Sequence, residues 1–300
     1  MTKRAWSETV SAKLLPDGRR LHLQHGPIDL ILEACGEDRE VAKAYDQALA
    51  AFETVLTDLV SELPRLRSAS GPVPQGEIAR AMWAATSAFA PEFITPMAAV
   101  AGSVADHVLK RMIAGRNLTR AYVNNGGDIA LHLAEGTFRI GICDDPVTGT
   151  AGGFVQLRPE DGIGGIATSG WRGRSHSLGI ADAVTVLAET AARADATATM
   201  IANRIDLPGS AKITREAASD LSPDTDLGDR PVTTGVGDLS MIEIHTALAS
   251  GEQAAQAYLS NGLFKAAYLG LVGERRIVAA ASTEHLNKHA IRNIREAACA

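Results

Sequence analysis

Residues 164–199 read GGIATSGWRGRSHSLGIADAVTVLAETAARADATAT. The segment opens on a glycine-flanked Ala-Thr-Ser-Gly turn, where missing side chains let backbone groups approach a ligand closely. AVTVLA at 183–188 reads as a strand, and the alanine-rich run at 189–205 reads as a helix. On that helix Asp195 and Thr199 are four residues apart, so their oxygens share one face. One carboxylate, one hydroxyl and a nearby backbone carbonyl suit a hard cation such as magnesium, which usually also takes phosphate oxygens from a substrate.

Outward from this segment, strand and helix patterns alternate. Residues 20–34 give two short strands around His25-Gly26-Pro27. Residues 38–63 carry apolar positions every three or four residues and predict one amphipathic helix. After a Gly/Pro break at 68–75, helices are expected over 76–89 and 97–114, the second ending at Gly115. The period then changes. Residues 120–123, 129–133 and 138–142 read as consecutive strands of an antiparallel meander. Residues 207–237, rich in Asp, Pro, Thr and Gly and containing PDTDLGDRPVTTGVG, read as a long ordered loop. A helix over 242–259 and a strand over 266–272 close the chain.

With 300 residues, 46% hydrophobic and 21% charged, the chain has the composition of a globular protein with a large core. Its net charge of -6 gives no electrostatic reason to expect nucleic acid as the partner. The first 26 residues contain no apolar run long enough for a signal-peptide core, no transmembrane run follows, and a cytoplasmic protein is expected. Cys35, Cys143 and Cys299 are odd in number and far apart, so neither a disulfide framework nor a close-spaced zinc site is indicated. Buried thiols are the expectation.

Taken singly, the motifs are not specific. Asn124-Asn125-Gly126-Gly127-Asp128 is a hairpin turn by composition, and an isolated Asp-x-x-x-Thr is usually two polar residues on a helix. Their order carries more. NNGGDI, then CDDP, then GGIATSG, a histidine-containing turn, AVTV and ADATAT resembles the ApbE superfamily of flavin transferases, and the likeness reaches back to GSVAD at 102–106. It covers roughly residues 20–205. HGPIDLILEA, TPMAAVAGSVAD and SHSLGIADAVTVLA resemble the UPF0280 branch of that superfamily.

The resemblance implies an α+β fold of layered antiparallel sheets and helices, related to the T-fold, as one domain over residues 1–300. It implies magnesium held by Asp195, Thr199 and the carbonyl of Ala167. A nucleotide site would be lined by Asn124, Gly126, Gly127 and Asp128, with Thr168, Ser169 and Gly170 in the second glycine turn. Asp106 would meet FAD or a related nucleotide, and His176 and Asp182 are the candidate bases. The two glycine turns, at 125–127 and 164–165, are expected to border one pocket.

Two departures stand out. Ala101 occupies the place where such transferases usually carry lysine, and the segment after His176 is shorter and lacks the usual proline. The expected activity is magnesium-dependent transfer or hydrolysis of a phosphoryl-linked group. Rival readings are a non-catalytic flavin, pterin or purine binder, and a biosynthetic enzyme acting on a pterin-like molecule. The oligomeric state stays open.

Overall fold

The computed structural model describes residues 9–145 and 150–280. These residues divide into two compact units, the first holding 9–136 with 164–166 and 190–192, the second holding 137–145, 150–163, 167–189 and 193–280. The α+β class expected from the sequence is the class the chain adopts.

In the first unit, β1 (Ser11–Leu14), β2 (Leu21–His25) and β3 (Ile28–Gly36) precede the helices α1 (Asp38–Phe52), α2 (Val55–Ser61), α3 (Leu63–Leu66), α4 (Glu77–Ser87) and α5 (Val100–Met112). Strands β4 (Leu118–Asn125) and β5 (Asp128–Leu133) follow, and the five strands pair antiparallel in the order β1-β2-β3-β4-β5. Alternation sets the buried face: Leu21, Leu23 and His25 on β2, and Leu30, Leu32 and Ala34 on β3, are all buried. Helices α1 and α5 cover this core with Ala44, Ala48 and Phe52 from one and Val104, Val108 and Met112 from the other. The single helix expected over 38–63 is instead three. Helix α1 stops at Glu53, and Pro64, in the first turn of α3, has no amide with which to extend a preceding helix.

In the second unit, β6 (Phe138–Asp145) pairs with β7 (Thr150–Leu157) rather than with β5, which breaks the expected meander. Strand β8 (Gly165–Ser169) begins in the first unit, where Gly165 and Ile166 pair with Ala130 and Ile129 of β5. Next come β9 (Ala183–Ala188), α6 (Ala191–Arg204), β10 (Ile213–Ala217), α7 (Ala218–Leu221) and β11 (Pro231–Val236). Helix α8 (Met241–Ser260) then covers β12 (Ala266–Leu271) and β13 (Glu274–Ala279). Strands β9, β12 and β13 form an antiparallel ladder, and every residue of β9 and β12 is buried. The long loop expected over 207–237 holds the β10–β11 hairpin, because a threonine-rich stretch pairs as readily as an aliphatic one. Cys35 is a free, half-buried thiol; Cys299 and Pro146 of the CDDP motif lie outside the described residues.

Candidate functional site

Helix α6 presents one polar stripe. Among residues 194–202 every residue is buried except Asp195 and Thr199, which are half-buried. One further step of four reaches Asn203, also half-buried, so the three side chains lie along a single face. The Asn203 Oδ1 accepts the Leu178 amide at 3.0 Å and the Ser177 hydroxyl at 3.4 Å. The stripe therefore ends on the loop that carries His176. Asn203 was missed in the sequence, although the four-residue step that picked out Thr199 extends to it.

That loop, residues 171–181, is an Ω-loop whose ends are joined by the Trp171 amide donating to the Ala181 carbonyl at 2.9 Å. Both feet rest on backbone. A Cβ at Gly170 would lie 2.8 Å from the Asp182 carbonyl carbon, and one at Gly179 would lie 2.8 Å from the Ile205 oxygen, so neither position admits a side chain. Its tip, Arg172 to His176, is exposed. Arg172 lies over the Trp171 ring at 4.9 Å and pairs with Asp182 at 3.3 Å.

Asp182 is held by donors. Its Oδ1 also accepts Trp171 Nε1 at 3.3 Å, and its Oδ2 accepts the Val272 amide at 2.6 Å. Val272, with φ 49, is the non-glycine residue in the left-handed region among those described, so Asp182 ties down the β12–β13 turn. This arrangement engages both carboxylate oxygens in structure. At the end of β8, exposed Thr168 shares a 2.8 Å hydrogen bond with the buried Thr185 hydroxyl, and Ser169 is half-buried.

The first unit positions the other candidates. Asn125 pairs with Asp128 to close a two-residue turn in which Gly126 and Gly127 adopt φ 68 and 116, as only glycine does readily. Asn124 Oδ1 accepts the Gly127 amide at 2.8 Å, and Asn125 Nδ2 donates to the Ala101 carbonyl at 3.1 Å. Both asparagines thereby shape the turn and tie it to α5. Gly127 itself faces open space. The second glycine segment belongs to the adjoining strand, but a Cβ at Gly165 would overlap the backbone of Thr190 and Ala191, so that glycine serves close packing.

Asp106 sits at the same junction. Its two oxygens accept the amides of Ala191 and Ala192 at 2.9 and 2.8 Å, capping α6 from 85 and 86 residues away. Burial pushes its carboxyl up to about 6, against the two amide bonds, which favour the anion. One turn earlier, Gly102 lets α5 close on the same segment, since a Cβ there would lie 2.5 Å from the Ala191 carbonyl carbon. The Gly-x-x-x-Asp spacing thus has a packing origin: the glycine admits the helix start, and the aspartate satisfies its amides.

The family model described as "AbpE bacteria" matches residues 12–277. The chain belongs to this family. Among its relatives, the UPF0280 protein of Archaeoglobus fulgidus is 32% identical over 190 residues, 62% of this chain and 76% of that one. The UPF0280 protein of Methanopyrus kandleri is 33% identical over 175 residues, 56% of this chain and 67% of that one. The solved ApbE protein of Thermotoga maritima aligns with a TM-score of 0.49 at 12% identity, over 92% of this chain and 98% of that chain.

In this ApbE-family chain the metal candidates form an all-oxygen set of one carboxylate, one hydroxyl and one carbonyl, which fits a hard cation that keeps positions for phosphate and water. Among the described residues no three His, Cys, Asp or Glu side chains gather to hold a metal. Asp195 and Thr199 are half-buried on a helix whose other residues from 194 to 202 are buried. No described helix is long and apolar enough to cross a membrane.

Proposed function

We propose that this chain binds FAD or a related nucleotide diphosphate with magnesium, and that it transfers or hydrolyses a phosphoryl-linked group in the cytoplasm. The observation that carries the reading is the polar stripe Asp195–Thr199–Asn203, which places a carboxylate and a hydroxyl on the same helix face that anchors the His176 loop. Magnesium bound by Asp195, Thr199 and the Ala167 carbonyl would offset charge on the phosphate oxygens. His176, on the exposed tip, would accept the proton of the attacking hydroxyl or water. On the second unit, Thr168, Ser169 and Gly170 would line the nucleotide. Asp106 would act indirectly, by holding the start of the helix that carries Asp195.

A second reading, a non-catalytic flavin, pterin or purine pocket, is favoured by one observation. His176 has no hydrogen-bond partner among the described residues, whereas a working base is normally oriented by a second group. Calorimetric titration with FAD, with and without magnesium, tests the shared part of the two readings. Asp195→Asn is expected to abolish the magnesium-dependent gain in affinity while shifting Tm by no more than about 1 °C, as for a half-exposed ligand. Equal affinity in both proteins, with and without magnesium, overturns the metal site. AMP release that disappears in His176→Ala selects the enzyme; tight binding without AMP release selects the pocket.

A further inference from the structure

Strand β11 contains an irregularity that the proposed chemistry has not used. Thr214 pairs with Gly235 and Arg215 with Thr233, so Thr234 is an extra residue, a β-bulge. Bulges bend a strand and re-aim its side chains, and they recur beside functional sites. Here the re-aimed residues are two adjacent threonines. The Oγ1 atoms of Thr233 and Thr234 are both buried, and neither has a hydrogen-bond partner. Thr233 is 6% exposed, and its amide donates to the Ser177 carbonyl at 2.8 Å. Ser177 in turn donates to Asn203, the last member of the α6 stripe.

Buried hydroxyls without partners are costly, and most native ones are paired, so two in succession call for a reason. We propose that the Thr233–Thr234 bulge is a subsite for the phosphoryl oxygens of the nucleotide, an inference that rests on the nucleotide-binding reading above. Thr234 is half-exposed, so rotation about its Cα–Cβ bond carries its hydroxyl from the buried side to solvent. The charge of the neighbouring loop selects an anion. Residues 170–181 contain Arg172, Arg174 and His176 and no acidic residue, in a chain of net charge -6. Arg172 is engaged by Asp182, while Arg174 is exposed and has no ion-pair partner among the described residues. Hydroxyl donors bonded through the Thr233 amide to a loop that carries an uncommitted guanidinium suit a phosphoryl group rather than a neutral heterocycle.

Titration of Thr233→Val, Thr234→Val and the double variant with ADP and with adenosine, all in excess magnesium, tests this. Valine keeps the shape and removes only the hydroxyl. We expect ADP affinity to fall about 10-fold for Thr234→Val and further for the double variant, with adenosine affinity unchanged. We also expect Tm to hold or rise, because an unpartnered buried hydroxyl has been replaced by a methyl group. Unchanged ADP affinity in the double variant overturns the subsite, and so does a lowered Tm with equal losses for ADP and adenosine. Asp195→Asn, run in parallel, separates the two proposals. If it loses magnesium dependence while the valine variants bind ADP normally, the subsite alone falls; if the unsubstituted protein does not bind ADP, both fall.

Discussion

Replacing Gly102 with alanine should cost far more than a methyl group in a helix normally does. In an exposed helix the change would stabilise by about 1 kcal/mol. Here the new Cβ would lie 2.5 Å from the Ala191 carbonyl carbon and 2.7 Å from the Ala192 nitrogen. Non-bonded carbons settle no closer than about 3.5 Å, so α5 and the start of α6 must separate by roughly 1 Å. Both contacts are backbone and cannot rotate away. The same shift would carry one of the Asp106 bonds to Ala191 and Ala192, now 2.9 and 2.8 Å, beyond hydrogen-bonding range. Overpacking costs about 1–3 kcal/mol, and losing one charge-assisted bond costs about 1.5–3 kcal/mol. Less the helix gain, the net is about 3 kcal/mol. With an unfolding entropy of about 0.6 kcal/mol/K for 300 residues, Tm should fall by about 5 °C, or about twice that if the first unit unfolds alone. Calorimetry of Gly102→Ala beside Gly141→Ala, whose Cβ would meet nothing within 4 Å, isolates the effect. A Tm for Gly102→Ala within about 1 °C of the Gly141→Ala value would refute the clamp.

Asp106 should leave a pH signature. Its folded-state value of about 6 lies above the ordinary 3.8, so the stability it contributes is full below about pH 4 and is lost as pH rises through 6. The stability difference between the unsubstituted protein and Asp106→Asn should therefore shift in favour of the variant between pH 4 and 7, by up to about 3 kcal/mol; a flat difference in chemical denaturation refutes the shift. Asp182→Ala should destabilise by about 2–3 kcal/mol, because Trp171, Arg172 and the Val272 amide lose their acceptor, and an unchanged Tm would show that the tie is idle. Glu77, lowered to about 2 chiefly by its hydrogen bond to Lys110, adds stability that is present above about pH 4.5 and lost as pH falls toward 2; Glu77→Gln should flatten that acid limb of the melting profile.

Where a residue's neighbours in space are also its neighbours in sequence, the letters were sufficient. The β2–β3 corner, the Gly126-Gly127 turn and the strand at 183–188 were legible because a tight turn needs positive φ and a covered strand needs a largely apolar, β-branched run. The pairing of β6 with β7 was not, since TAGGFVQL holds two glycines and its apolar residues sit at one end. The β10–β11 hairpin was hidden by threonines and prolines that also suit a loop. At the site, the four-residue step exposed Asp195 and Thr199, but nothing local tells that Asp106 caps a helix 85 residues away. The unpartnered Thr233 and Thr234 hydroxyls depend on a register shift, which composition does not encode.

Neither unit is a continuous piece of chain. The first takes in residues 164–166 and 190–192, short returns from a segment that otherwise builds the second. A fragment ending at residue 136 would therefore have a raw β5 edge where Gly165 and Ile166 pair, and an Asp106 carboxylate facing no amides. Expressed as two halves, the chain would separate these parts. Synthesis must reach Ala192 before the first unit has all its parts, and any ancestor built from one unit needed another strand and another helix end in those places.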